Sequence, residues 1–349
     1  MKASFTKSAV GISALLFFSW LAGCTPAQAR PPAATTPTSA APRSESVGKS
    51  PWGPNDEIGT LNMMTVESRT AILSRLDVRK VYDLSTDYFQ GMPSFDAFGD
   101  PHYQIWMTHT PRGTGVDDPA KVGNAHNDKV SYTGDAISMY THTGTHIDAL
   151  NHFGLDGEVY NGVKADGHLG DHGWTRNGVD KMPPILARGV LIDVAASKGV
   201  AVLPNSYAIT LADMQAALAR QSTALQPGDV VLVRTGRMSL WPDRARYGGN
   251  EPGLSFEAAQ WLAEEKHVMV IGSDAFAPEV LPSPRKDNWI PLHTYLLAQR
   301  GIPIIEVINL EELARDRTYE FAFIAAPLRL RGASAAPFRP IAIPLRPKS

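Results

Sequence analysis

Thr141-His-Thr-Gly-Thr-His-Ile-Asp-Ala-Leu-Asn-His152 concentrates three histidines and an aspartate in one short stretch of a 349-residue chain that has ten histidines in all. Periodicity limits what the stretch can be. On a helix, His142 and His146 would share a face, but Asp148 would lie more than a quarter turn from both. In an extended chain His142, Gly144, His146 and Asp148 have the same parity and project to one side, and the threonines favour that conformation. His152 keeps the parity, although four further residues give the chain room to turn. Two imidazoles and a carboxylate on one face make a mixed nitrogen and oxygen ligand set suited to a borderline divalent metal. The alternative is a row of polar side chains on a solvated strand; four ligand-type residues on one side argue against it. Gly144, with no side chain, would leave room for an ion or substrate to approach the backbone.

The remaining ligands are expected from the second half of the chain. In Gly301-Ile-Pro-Ile-Ile-Glu-Val-Ile-Asn-Leu310 the even positions Ile302, Ile304, Glu306 and Ile308 form an apolar face interrupted by one carboxylate. Burying that carboxylate is costly unless a cation or strong donors meet it. An ion pair with Arg329 or Arg331 would meet the need; so would a metal, with His293 as companion ligand at the start of a predicted helix.

Around these segments, β-branched runs between turn signals predict strands at Val190–Val194, Val230–Val233, Val268–Ile271 and Ile302–Ile308. Helical patterns fall between them: Leu211–Arg220 after a possible Thr210 cap, Phe256–Lys266 after Ser255, and His293–Arg300 before Gly301. Strands alternating with helices give an α/β class with a mixed sheet. There is no G-x-G-x-x-G, P-loop or G-x-S-x-G, so dinucleotide, nucleotide-phosphate and serine-hydrolase chemistries have no support in the sequence.

The N-terminus speaks to address. Residues 1–23 combine Lys2 and Lys7 with an apolar run too short to span a bilayer, the pattern of a secretory signal peptide. The run ends in Leu21-Ala-Gly-Cys24, which resembles a bacterial lipobox, with Cys24 lipidated on the periplasmic side of a membrane. Cleavage after Ala27-Gln-Ala29, giving a soluble periplasmic or secreted protein, is the competing reading. The lipobox is preferred because the one cysteine of the chain stands where a lipobox needs it. Residues 24–50, rich in Ala, Pro, Thr and Ser, read as a disordered tether, and residues 51–349 as one domain. With Cys24 so used, no thiol is left for a disulfide, a cysteine nucleophile or a Cys-type zinc site. The formal charge of −2 gives no sign of nucleic-acid binding, and the only membrane contact expected is the lipid.

The run His142-Thr-Gly-Thr-His146-Ile-Asp148-Ala-Leu-Asn-His152 resembles the signature of the metal-dependent cyclase family, which includes bacterial kynurenine formamidases and isatin hydrolases. The resemblance extends to Trp52–Asn62, Pro227–Gly236, Gly272-Ser-Asp274, His293 with Glu306, and Ala326-Pro-Leu-Arg329; the flanking pieces point to a longer-chain bacterial branch. It implies a swivelling β/β/α domain with a mixed, barrel-like sheet, assembled as a homodimer or homotetramer. It also implies that His142, His146 and Asp148 bind a first ion, that Asp148 and Glu306 bridge to a second held also by His293, and that His152 is the general acid or base. Family members use zinc or manganese, one ion or two. Kynurenine formamidases carry a proline where this chain has Leu150, and a tryptophan in an early substrate loop where Phe95 stands, so the substrate is expected to differ from N-formylkynurenine.

The expected chemistry is hydrolysis, by metal-activated water, of an amide, imide or lactone carbonyl in a small cyclic or aromatic substrate. Phe95, Phe98, Trp106 and Trp289 are candidates for an apolar pocket wall. Two rivals remain: a periplasmic metal-binding lipoprotein without catalysis, and a cyclase that closes rings without hydrolysis.

Overall fold

A computed structural model describes residues 46–95, 98–110, 113–114 and 132–347. The predicted leader, Cys24 and most of the tether lie outside the described residues. Residues 48–50, at the end of the stretch that composition assigns to the tether, are hydrogen-bonded into the domain: Gly48 N–H donates to Ala298 O (2.8 Å) and Ser50 N–H to Asn161 Oδ1 (3.1 Å).

Nine strands form the main sheet, numbered here in chain order: β1 (Tyr82–Asp83), β2 (His146–Asp148), β3 (Ile185–Asp193), β4 (Val230–Arg234), β5 (Val270–Ser273), β6 (Ile304–Glu306), β7 (Glu320–Ala325), β8 (Ala335–Pro337) and β9 (Ile341–Pro344). Their spatial order is β1-β9-β7-β3-β4-β5-β6-β2-β8. The central four, β3 to β6, run parallel, and the strands on either side pair antiparallel. This is the mixed α/β sheet expected from the sequence.

The connectivity requires the sheet to curl. β8 is one edge and β9 is second from the other, yet only Phe338, Arg339 and Pro340 join them, a reach of roughly 14 Å at full extension. Beyond β1, Leu84 ties the two ends together: its N–H donates to Pro340 O (3.0 Å) and its carbonyl accepts from Asn309 N–H (2.8 Å). The result is the barrel-like sheet.

Both faces are buried, and alternation along the strands divides the core. Val190 and Ile192 of β3 and Val231 and Val233 of β4 face one cluster; Leu191, Val230 and Leu232 face the other. The first cluster is capped by helices. α1 (Leu211–Gln221) opens with a capping box in which Thr210 and Asp213 exchange hydrogen bonds, and α2 (Phe256–Gln260) is capped by Ser255 and continues as a π-helical turn. α3 (Pro291–His293) also runs on as π-helix, from Thr294 to Gln299, and ends before Gly301 at φ +64°. No described helix is long and apolar enough to cross a membrane.

Candidate metal centre

The antiparallel pairing of β6 with β2 sets Glu306 opposite His146, Ile305 opposite Ile147 and Ile304 opposite Asp148. Ile147 and Ile305 pack into one core cluster. Alternation therefore puts His146, Asp148 and Glu306 together on the other face, under α3, whose last residue is His293.

His142 arrives differently from the expected extended run. Only His146–Asp148 is strand; residues 141–145 form a turn with Gly144 at φ +62°. Nor does Gly144 open space for an ion. A Cβ there would lie 2.7 Å from the ring of Tyr88, whose hydroxyl donates to Thr145 O (2.8 Å). The glycine is needed for the turn and for the approach of Tyr88.

The turn brings His142 Nδ1 to 2.7 Å from Asp148 Oδ1, which also lies 3.4 Å from His146 Nε2. His293 Nε2 is 3.6 Å from Asp148 Oδ2 and 3.0 Å from Glu306 Oε1, and His146 Nε2 is 3.2 Å from Glu306 Oε2. All five side chains are buried. The ion pair of Glu306 with Arg329 or Arg331 is replaced by these histidines.

Burial pulls His146 toward the neutral form, but the Asp148 and Glu306 carboxylates outweigh it and hold the imidazole at about 10. His293 is likewise raised despite burial, by Glu279 first and then by Asp148 and Glu306. Burial alone would raise Asp148; the imidazoles packed around it hold it well below the usual carboxylate range. His152 is pushed down by burial and by the charges of His142 and His293.

The histidines are oriented from behind. His142 Nε2 meets Ser334 Oγ (3.0 Å), His146 Nδ1 meets Gly144 O (2.8 Å), and His293 Nδ1 meets Glu279 Oε2 (2.9 Å). His146 Nε2, both Asp148 oxygens and Glu306 Oε1 are buried without a hydrogen-bond partner. Buried polar atoms are rarely left so, and nitrogen and carboxylate oxygen donors with rear-side support are what a divalent cation takes. Two ligand groups, His142-Asp148-His152 and His146-Asp148-Glu306, share Asp148, each with its donor atoms within 4.8 Å of one another. The residues present thus fit a divalent ion.

The centre opens into a cleft of about 150 Å³, with His142, His152, His293 and Glu306 at its polar end. Phe95, Phe98, Phe153 and Trp289 form its apolar wall, Phe95 lying nearly parallel to Trp289 with ring centroids 6.4 Å apart. His152 stands beside His142, with ring centroids 3.9 Å apart. Of the aromatic residues expected at the wall, Trp106 is elsewhere: it lies on the strand Gln104–Thr110, 45% exposed. Sequence reasoning assigned no role to Ser334, Tyr140 or Phe153, and left Glu279, beside Asp274, between an active-site loop and a turn cap. For Glu279, a lone carboxylate in the apolar run Ala275–Leu281, the argument that singled out Glu306 would have sufficed.

A polyhistidine and carboxylate centre on a curled mixed sheet defines the class, and comparison with known proteins supplies the family. The family model described as "Putative cyclase" matches residues 82–280, and the chain belongs to this cyclase family. Cyclase-like protein 3 of Oryza sativa subsp. japonica is 24% identical over 264 residues, covering 76% of this chain and 80% of the rice protein. A crystal structure described as a novel cyclase superposes with a TM-score of 0.73 at 29% identity, covering 86% of this chain and 100% of that one. Isatin hydrolase A from Ralstonia solanacearum superposes with a TM-score of 0.56 at 23% identity, covering 76% and 91%, and shares the fold.

Proposed function

We propose that this protein is a metal-dependent hydrolase that opens an amide, imide or lactone bond in a small cyclic or aromatic carbonyl compound. The observation that carries the reading is the cluster of buried donors in which His146 Nε2, both Asp148 oxygens and Glu306 Oε1 lie close together but in no oriented hydrogen bond, with Glu306 reaching an aromatic-walled cleft. A zinc or manganese ion, at one position or two, would supply polarisation of the carbonyl and acidification of water. His142, His146 and Asp148 would hold it on one side, Glu306 and His293 on the other. His152 is kept neutral by its surroundings, so it can take a proton from the attacking water and return it to the leaving nitrogen or oxygen. Phe95, Phe98, Phe153 and Trp289 offer flat apolar surface to a ring. The fold shared with proteins named isatin hydrolases supports this choice of substrate class.

The test is to remove metal from the purified protein with a chelator, restore zinc or manganese, and follow ring opening of isatin, cyclic imides and lactones and cleavage of aryl formamides. Turnover should vanish and return with the metal, and solvent oxygen should enter the product. Activity indifferent to chelation defeats the proposal. Ring closure without solvent oxygen would indicate a non-hydrolytic cyclase, and tight metal binding with no turnover a binding lipoprotein.

We propose further that the domain is exported and held at the periplasmic face by lipid on Cys24, on the strength of the lipobox-like Leu21–Cys24. Mass spectrometry of the membrane fraction should find a lipid-modified Cys24 as the first residue. The domain is proposed to pair as a homodimer or homotetramer. The ribbon of Gln104–Thr110 and Gly134–Ser138 supports this, because Ile105, Trp106, Met107 and Ile137 are each at least 40% exposed. Light scattering at micromolar concentration reads the mass directly.

A further inference from the structure

Glu279 is buried, 1% exposed, and its carboxylate is spent on two consecutive residues, Leu292 and His293. Its Oε2 lies 2.9 Å from His293 Nδ1, while Oε1 accepts the backbone N–H groups of Leu292 (3.0 Å) and His293 (3.2 Å) at the start of α3. The same carboxylate therefore fixes both the backbone from which His293 projects and the rotation of its ring. An ionised carboxylate can only accept, so Nδ1 carries a proton and Nε2 is the nitrogen left to face Asp148 Oδ2 and Glu306 Oε1. The other two supported histidines rest on neutral groups, Ser334 Oγ and Gly144 O.

We infer that Glu279 is the positioning residue for His293: by pinning the Nδ1 proton it presents Nε2 as a ligand to the ion facing Asp148 and Glu306. This rests on the metal-site reading above. Carboxylates behind ligating imidazoles fix the tautomer and raise ligand basicity, and their loss weakens metal affinity about 10- to 100-fold.

Glu279→Gln separates positioning from packing, because the side chain keeps its size. If the glutamine oxygen retains the N–H groups of Leu292 and His293, its amide NH2 faces Nδ1. That nitrogen must then be the acceptor, and the ring proton moves to Nε2, where it blocks the metal. The first measurement is metal affinity and stoichiometry of the full-length protein with zinc, by calorimetry and elemental analysis. Affinity should fall by about 10- to 100-fold, or one ion be lost. The second is the proton–nitrogen correlation spectrum of His293, with and without zinc: Nδ1 should be protonated in the wild type and stripped of its proton in the variant.

Unchanged zinc affinity in a folded Glu279→Gln protein overturns the inference. So does a wild-type spectrum in which Nδ1 carries no proton, a measurement that stands even if the variant fails to fold. A wild-type protein that takes up no divalent ion would sink the metal-site reading and, with it, the ligand role of Nε2; the metal-free spectrum would still decide whether Glu279 holds the His293 proton.

Discussion

Asp148 has the least freedom of any side chain in the centre: it is fully buried, and its two oxygens face His142, His146 and His293. Asp148→Asn removes the charge that gathers these imidazoles. It should abolish stoichiometric metal content, read by elemental analysis, together with turnover. His152→Ala should act differently, lowering kcat by about 10²- to 10⁴-fold with metal content unchanged; a fall in metal content would make His152 a ligand instead. Without metal, the carboxylates hold His146 at about 10 and raise His293. An entering ion must expel those protons, so apparent affinity should weaken as pH falls, and binding should release protons. Calorimetry in buffers of different ionisation enthalpy counts them. The ligand residues were legible because histidines and an isolated carboxylate in apolar sequence are costly without a purpose. Ser334 was not, since a serine before a strand carries no such signal.

At the scale of elements, the helices were readable from their caps: Thr210 and Ser255 stand where the pattern placed them, and the structure adds Asp213 as the reciprocal partner of Thr210. The strands were readable in type and less so in extent. Ile302–Ile308 reads as one alternating strand, but it breaks at Val307, at φ +53°, an uncommon conformation for a β-branched residue. Its N–H donates to Ala275 O (3.0 Å) and its carbonyl accepts Thr145 Oγ1 (2.7 Å). Contacts from distant segments thus override local preference, and Ile308 joins the cluster opposite to that of Ile304. The turn at 141–145 was missed for the same reason, since Tyr88 lies far away in sequence. Gly144→Ala forces a Cβ against the Tyr88 ring at positive φ. It should cost about 1–3 kcal/mol in a denaturant titration and loosen zinc binding by moving His142.

For the molecule as a whole, three carboxylates raised by burial, Asp229, Asp274 and Glu251, shape the response to pH, and Glu251 is raised furthest. Glu251, 2% exposed behind the cleft, accepts the N–H of Phe276 (2.8 Å), and burial raises it to about 8 from 4.5 despite the nearby Arg237. Below about 4.5 it is protonated both folded and unfolded and costs nothing; between about 4.5 and about 8 only the folded state keeps the proton. Its contribution to stability therefore falls as pH rises through that window, by up to about 1.4 kcal/mol per pH unit. Glu251→Gln should flatten the profile by that slope, measured as the urea midpoint against pH. The closure of the sheet has a consequence in time as well as in space. β2, which carries His146 and Asp148, has β8 as its outer neighbour, and Ser334, which holds His142, stands just ahead of β8. A polypeptide still being made on the ribosome lacks both until residues 334–337 have emerged, so no shorter nascent chain has the supports of this centre in place.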